Sequence, residues 1–233
     1  MSKVKVRVDR LIAHRTGESR SQIKRLIRRG EVRLDGEVVA NAAVRCFPDQ
    51  QITLFGEEVS PLESVLVYHK PEGVLTTTND QWGRPCVGDI LPHGYHIVGR
   101  LDADTRGLLL FSSNGSLTQH LLHPKHAVER EYIAAVAGAP DDALVSAVTN
   151  GVATSLGLAS GTIVERGDDW VRLVMTEGKN RIVRRMLYNA GFPVLDLFRI
   201  RYGACRLGDL DEGAIRPLTT EERVGMIGFP GFE

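Results

Sequence analysis

The stretch GRLDADTRGLLLF, residues 99–111, reads as a strand, a polar turn and a second strand. Two carboxylates (Asp102, Asp104), a hydroxyl (Thr105) and two guanidinium groups (Arg100, Arg106) crowd a short loop between apolar segments. Burial and charged neighbours at such a place can tune an acid. On spacing alone, an ordinary charged turn is the simpler account. Outward from this stretch, strand patterns recur at 65–68, 132–136, 170–175 and 194–202, with 97–101 and 108–111 flanking the turn itself. Helical patterns intervene irregularly: 141–150 follows Pro140, and 182–190 carries Val183, Met186, Leu187 and Ala190 on one face before Gly191. Thr219 and Glu222 have the spacing of a capping box. Strands outnumber helices without alternating with them, which predicts an α+β domain on a mainly antiparallel or mixed sheet rather than a doubly wound one.

Upstream, a different unit is expected. Val8, Leu11 and Ile12 share a helical face, and after Thr16-Gly17-Glu18 a second helix begins at Ser19, where Ser19 and Gln22 again have capping-box spacing. Ile23, Leu26 and Ile27 recur at i, i+3 and i+4, while Arg20, Lys24, Arg25, Arg28 and Arg29 take the remaining directions. Gly30 stops this helix, and Asp35-Gly36 between Val32-Arg33-Leu34 and Glu37-Val38-Val39 predicts a tight hairpin. The acidic, proline-containing stretch 56–64 puts the boundary near Pro61, giving domains 1–61 and 62–233.

Charge supports the division. The formal net charge is zero, yet residues 1–46 hold twelve Lys or Arg against five Asp or Glu. A basic segment of that size is an electrostatic footprint for phosphate, although a solvated helix face has the same composition. With 42% hydrophobic residues, no long apolar run and no apolar stretch in MSKVKVRVDR, a soluble cytoplasmic protein is expected. Cys46, Cys86 and Cys205 form no CxxC pair and are expected to be reduced packing residues.

The segment VDRLIAHRTGESRSQIKRLIRRGEVRLDGEVV resembles the S4 RNA-binding domain, over roughly the first sixty residues. That resemblance implies contact of the arginine-rich helix and the hairpin with an RNA backbone, and it leaves the chemistry to the rest of the chain. There, GRLDADTRGLLLF resembles the catalytic motif of pseudouridine synthases of the RsuA and RluB group. The resemblance implies that Asp102 is the essential catalytic residue, that Thr105 and Gly107 shape the turn, and that Arg100 holds RNA around an extruded nucleotide. Further stretches match in order. Tyr68-His69-Lys70-Pro71-Glu72-Gly73 resembles the family's Lys-Pro motif, with residues 79–85 as its following loop. Arg130-Glu131-Tyr132 resembles the motif whose tyrosine lies against the target base. Residues 177–186, EGKNRIVRRM, resemble the motif that supplies a basic partner for the aspartate. By position that partner is Arg184, with Val183 as an apolar wall and Lys179, Arg181 and Arg185 available to phosphate. An arginine beside a carboxylate favours its charged form and fixes its orientation. Lys179 stands where the family commonly has arginine, which keeps the charge and loses the bidentate fork.

The implied activity is isomerisation of a specific uridine in ribosomal RNA to pseudouridine. The spacing in EGKNRIVRRM and FRIRYG tilts the expected substrate towards large-subunit (23S) rather than 16S rRNA. Asp102, Tyr132 and Arg184 are the expected catalytic residues. Arg100, Thr105, Lys70, Lys179, Arg181, Val183 and Arg185 are the expected RNA or substrate contacts, with Arg20, Lys24, Arg25, Arg28 and Arg29 in the first domain. No cofactor and no metal are expected, since the isomerisation needs no redox group, and a monomer is expected.

Two rival classes fit parts of the sequence. A non-catalytic rRNA-binding assembly factor would keep both domains but need not retain Asp102, Tyr132 and Arg184 in order. A metal hydrolase is suggested by His93, His96, His120, His123 and His126, but Pro92 and Gly94 make the first pair a turn, Pro124 interrupts the second set, and neither has an HExxH pattern or a suitable cysteine group. A phosphate-binding loop at Gly178-Lys179 fails because Leu173 and Asn180 stand where glycine and Ser or Thr are required.

Overall fold

The computed structural model of the chain describes residues 5–16, 18–47, 49–59, 64–230 and 232. The chain divides into two compact units, residues 1–64 with 92–96, and residues 65–91 with 97–233. Pro61, the expected boundary, and Gly17, in the expected connection between the first helices, lie outside the described residues.

In the first unit β1 (Val6–Arg7) runs into α1 (Val8–Thr16), followed by α2 (Arg20–Arg28). The Ser19 hydroxyl accepts the Gln22 N–H at 3.2 Å, satisfying one of the orphan donors at the start of α2. Ile23 and Ile27 turn inward against Val8 and Ile12, and Val32, Val39, Cys46 and Ile52 complete a closed apolar cluster. Each fully buried aliphatic side chain contributes about 1.5–3 kcal/mol, so this cluster dominates the unit's cohesion. The Asp9 carboxylate is buried and accepts from Arg7 at 3.0 and 3.1 Å and from Arg20 at 2.8 Å, tying α1 to the start of α2. The Arg7 hydrogen bond, with Arg20 beside it, holds the Asp9 carboxyl down at about 2. β2 (Val32–Leu34) and β3 (Glu37–Val38) form the expected hairpin. Asp35 at φ 49° and Gly36 at φ 86° are both left-handed, the requirement of a type I′ turn. β4 (Arg45–Cys46) pairs with β1, while β5 (Ile52–Leu54) and β6 (Glu57–Glu58) complete a four-stranded sheet of order β3-β2-β5-β6.

The second unit is built on a mixed sheet. Its strands are β7 (Val65–Lys70), β8 (His96–Val98), β9 (Arg106–Ser112) and β10 (Arg130–Val136). The hairpin β11 (Val152–Thr154) and β12 (Gly157–Ala159) stands apart as its own ribbon. The sheet continues with β13 (Thr162–Arg166), β14 (Trp170–Met175), β15 (Val194–Tyr202), β16 (Cys205–Arg206) and β17 (Ile215–Pro217). The order is β13-β14-β10-β15-β9-β7-β17, with β8 on β9 and β16 on β15. The β15 to β9 pairing is parallel and its neighbours are antiparallel, as the strand pattern predicted for a mixed sheet. In β9 the run Leu108 to Phe111 is completely buried, as a central strand covered on both faces requires.

Among the described residues four α-helices accompany this sheet. α3 (Gly115–Leu122) was not anticipated; Asn114 caps it by accepting from the N–H groups of Ser116 and Leu117. α4 (Asp142–Asn150) and α5 (Ile182–Asn189) match the expected helices. α6 (Thr220–Gly225) begins with the predicted Thr219/Glu222 capping box. Among the described residues no helix is long and apolar enough to cross a membrane.

Candidate active site

Asp102 lies in the turn between β8 and β9, closed by the Thr105 N–H donating to the Asp102 carbonyl at 3.1 Å. The loop after β7 braces this turn from behind. The Thr76 hydroxyl donates to the Leu101 carbonyl at 2.5 Å and accepts the Leu101 N–H at 3.2 Å. The Gly73 N–H donates to the Ala103 carbonyl at 2.7 Å. Lys70 at the end of β7 is wholly buried, and its ammonium donates to the carbonyls of Pro71 (2.6 Å), Val74 (2.7 Å) and Ala103 (3.5 Å). Burial pushes its pKa down to about 8 against the opposing pull of nearby carboxylates. The expectation that Lys70 contacts RNA is therefore corrected. Its donors face backbone carbonyls, and the Lys-Pro turn acts on Asp102 through the chain that carries it.

On the other side stands α5. Arg181, at its N-cap, adopts φ 51° with no side-chain cap of its own. A non-glycine residue held there costs on the order of 1–3 kcal/mol. Its guanidinium makes a two-pronged bond with Asp104 (2.9 and 2.8 Å) and lies 3.9 Å from the nearer Asp102 oxygen. The hydrogen bond from Arg181 draws the Asp104 carboxyl below its ordinary range. Arg184 donates to the carbonyls of Asp104 and Val194, and its Nε is 3.5 Å from the Asp104 carboxylate. The sequence made Arg184 the partner of Asp102; in the structure Arg181 is the cation nearest Asp102, and Arg184 holds the backbone two residues further on. Arg181 is the left-handed N-cap residue of α5, and Arg184 follows almost one helical turn later, so the two guanidinium groups leave the helix at different levels.

Asp102, about 29% exposed, opens onto a cavity of about 420 Å³. Of the residues singled out in the sequence, Arg100, Asp102, Thr105, Tyr132, Lys179, Arg181 and Val183 line it. Tyr132 comes from β10, and the buried Val183 makes an apolar wall. Lys179 is paired with Glu177 at 2.8 Å and remains half-exposed. Arg185 is turned away, donating to Asn180 O and Ser155 Oγ. In the first unit Lys24, Arg25, Arg28 and Arg29 are exposed and, among the described residues, have no carboxylate partner. Arg20 differs, being engaged with Asp9.

Two lining arginines escaped the sequence reading as site residues. Arg130 on β10 is buried, with bonds to Val128 O, Thr176 O, Leu121 O and the Tyr202 hydroxyl. Arg199 on β15 is about 3% exposed. The available signal was period-two alternation, which puts Arg199 on the same buried face as Leu197. With Arg100, Lys179 and Arg181, five cationic side chains line the cavity against one carboxylate, Asp102. A recess of that sign suits a polyanion.

Comparison with known proteins accords with this arrangement. A model of the RNA pseudouridylate synthase family matches residues 64–189, which include Asp102 and most of the residues lining the cavity, and an S4 domain model matches residues 6–52. The chain belongs to the RNA pseudouridylate synthase family. It is 37% identical to an uncharacterized RNA pseudouridine synthase of Mycobacterium leprae, covering 93% of this chain and 90% of that protein. It is 38% identical to the ribosomal large subunit pseudouridine synthase B of Escherichia coli strain K12, over 84% of this chain and 73% of the relative. A crystal structure of a pseudouridylate synthase superposes with a TM-score of 0.63 at 28% identity, covering 93% of this chain and 97% of that one. The enzyme is thus an RNA pseudouridine synthase, an isomerase, with an S4 domain preceding its catalytic fold.

Proposed function

We propose that this synthase isomerises a uridine of ribosomal RNA, with Asp102 as its catalytic residue, residues 1–61 as the RNA-gripping domain and residues 62–233 as the catalytic one. The observation that carries the reading is the cavity lined by Asp102, its one carboxylate among the described residues, together with Tyr132 and five cationic side chains. A base within folded RNA cannot reach a recessed carboxylate. The nucleotide must leave its stack, at a cost of a few kcal/mol that phosphate contacts offset. Asp102 then acts on the ribose or the uracil, the N1 to C1′ bond breaks, the base turns, and C5 joins C1′ as its proton leaves. Tyr132 supports the base, Arg181 keeps a positive charge beside Asp102, and Arg184 holds the turn. Similarity to a relative named for the large ribosomal subunit supports a 23S rather than a 16S target. The exposed cations of α2 suit RNA backbone recognition by shape and phosphate.

Tritium release from C5-labelled uridine in 23S and 16S transcripts, comparing the wild type with Asp102→Asn, tests the reading. Release from 23S RNA by the wild type alone, with RNA binding retained by the variant, is the expected result. Full activity of Asp102→Asn refutes the assignment of the aspartate, and tight binding without release by the wild type favours an assembly-factor role.

A further inference from the structure

Two polar atoms of cavity-lining residues are buried and, among the described residues, have no hydrogen-bond partner: the Thr105 hydroxyl oxygen and Nη2 of Arg199. Both residues are almost inaccessible, at about 2% and 3% exposure. Leaving a buried polar group without a partner is costly enough that each such group calls for an account, and at a cavity wall a ligand supplies one. Arg199 has the further peculiarity of being a buried cation with no ion pair among the described residues. Its Nε is spent on the Leu108 carbonyl at 2.7 Å. That bond orients the guanidinium and leaves Nη2 uncommitted.

The placement of these atoms indicates what they meet. Arg199 is the cross-strand partner of Tyr132 on β10, so the two side chains leave the sheet on the same face. Across the parallel pairing, Arg199 is opposite Gly107, two residues after Thr105. A Cβ on Gly107 would fall 2.3 Å from the Arg199 carbonyl oxygen, so glycine is what lets the Asp102 turn approach β15 this closely. Both uncommitted atoms thus belong to a wall shared with Tyr132 and Asp102.

We propose that Thr105 and Arg199 read the O2, N3–H, O4 edge of the flipped uracil, Arg199 donating to a carbonyl and the Thr105 hydroxyl pairing with N3–H or the adjoining carbonyl. This inference rests on the functional reading above. The chemistry of the reaction favours that edge. Replacing the N1 to C1′ bond by C5 to C1′ requires a half-turn of the ring about the axis through N3 and C6. That turn exchanges N1 with C5 and O2 with O4 while leaving N3–H in place. The acceptor, donor, acceptor pattern maps onto itself, so one pair of protein groups holds both substrate and product orientations. N1 gains a proton and C5 loses one, so the balance needs nothing from these two residues. Cytosine presents an amino donor at C4, which an arginine donor cannot pair with, and a polar site left unpaired in this way rejects the wrong ligand strongly.

The test uses single-turnover tritium release and RNA binding on the rRNA that the wild-type protein modifies, with Arg199→Gln and Thr105→Val. Each variant is expected to bind RNA within twofold of the wild type, with an unchanged salt dependence, and to react at least tenfold more slowly. The thermal midpoint of Thr105→Val is expected to equal or exceed that of the wild type, because the lost hydroxyl had no partner to give up; a merely structural threonine would lower it. Placing 2-thiouridine or 4-thiouridine at the target, where sulfur is a poor acceptor, is expected to slow the wild type more than Arg199→Gln. If Arg199→Gln does not fold, Thr105→Val decides. Variants as fast as the wild type, thio effects that simply multiply, or a reduced salt dependence in Arg199→Gln overturn the edge-reading role, the last pointing to phosphate. Absence of release by the wild type itself overturns the functional reading and this inference with it.

Discussion

Lys70→Met isolates the brace behind the Asp102 turn. The substitution keeps a flexible apolar stem of similar length and deletes the ammonium that bonds Pro71 O, Val74 O and Ala103 O. Gly73 N still donates to Ala103 O, so the unpaired groups are the carbonyls of Pro71 and Val74. Buried carbonyls stripped of their donor cost about 1–3 kcal/mol, a loss that relief of the buried charge offsets near pH 7. A pH dependence sharpens the test. A lysine falling from 10.5 to about 8 on folding carries about 3 kcal/mol of penalty for being charged at neutral pH. Because the folded value lies below the unfolded one, the unfolded chain binds more protons between those limits. That part of the wild-type stability therefore rises from about pH 8 to about pH 10.5, and the methionine variant has no such proton to lose. Urea unfolding of both proteins near pH 7 and near pH 9.5 should show the gap widening by about 2 kcal/mol at the higher pH. A gap that stays constant or narrows, or a variant as stable as the wild type at both values, refutes the assignment of Lys70 as a buried, charged brace.

Three further outcomes follow from the same geometry. Arg181→Ala removes the cation nearest Asp102 and the two-pronged bond to Asp104; single-turnover release is expected to fall about ten- to a hundredfold, the equivalent of one charge-assisted hydrogen bond, and an unchanged rate would remove Arg181 from the site. Gly107→Ala drives a Cβ into the Arg199 carbonyl at a residue with φ of 109°, so a loss of more than about 3 kcal/mol is expected in thermal melts, and a midpoint within a degree or two of the wild type would contradict the close approach. Replacing Arg25, Arg28 and Arg29 by glutamine should weaken binding of all RNA sequences alike and lower the salt slope of log Kd by about 2, with the rate at saturating RNA preserved; an unaltered slope would show that α2 does not meet phosphate.

What the sequence determined by itself was largely local. Strand runs at 108–111, 170–175 and 194–202, the Thr219/Glu222 capping box and the Asp35-Gly36 turn each depend on neighbours a few residues away and each formed as expected, and at Ser19 the hydroxyl half of the expected box is present. The mixed sheet was legible for the same reason. Helix α3 was missed because its signal, Asn114 ahead of a mixture of polar and apolar residues, is weak in isolation and depends on burial of Leu117 and Leu121 against β9 and its neighbours. Motif order brought Asp102, Thr105, Tyr132 and Val183 to one list, and the fold brought them to one cavity. Only the tertiary structure could decide the partners. Whether Arg181 or Arg184 lies nearer Asp102 turns on how α5 is set against the turn, whether Lys70 meets solvent or carbonyls turns on the depth of β7, and whether Arg199 belongs to the site turns on a register between strands some seventy residues apart. Such contacts are made by backbone directions summed over a whole domain, and a pattern read over a few residues carries no trace of that sum.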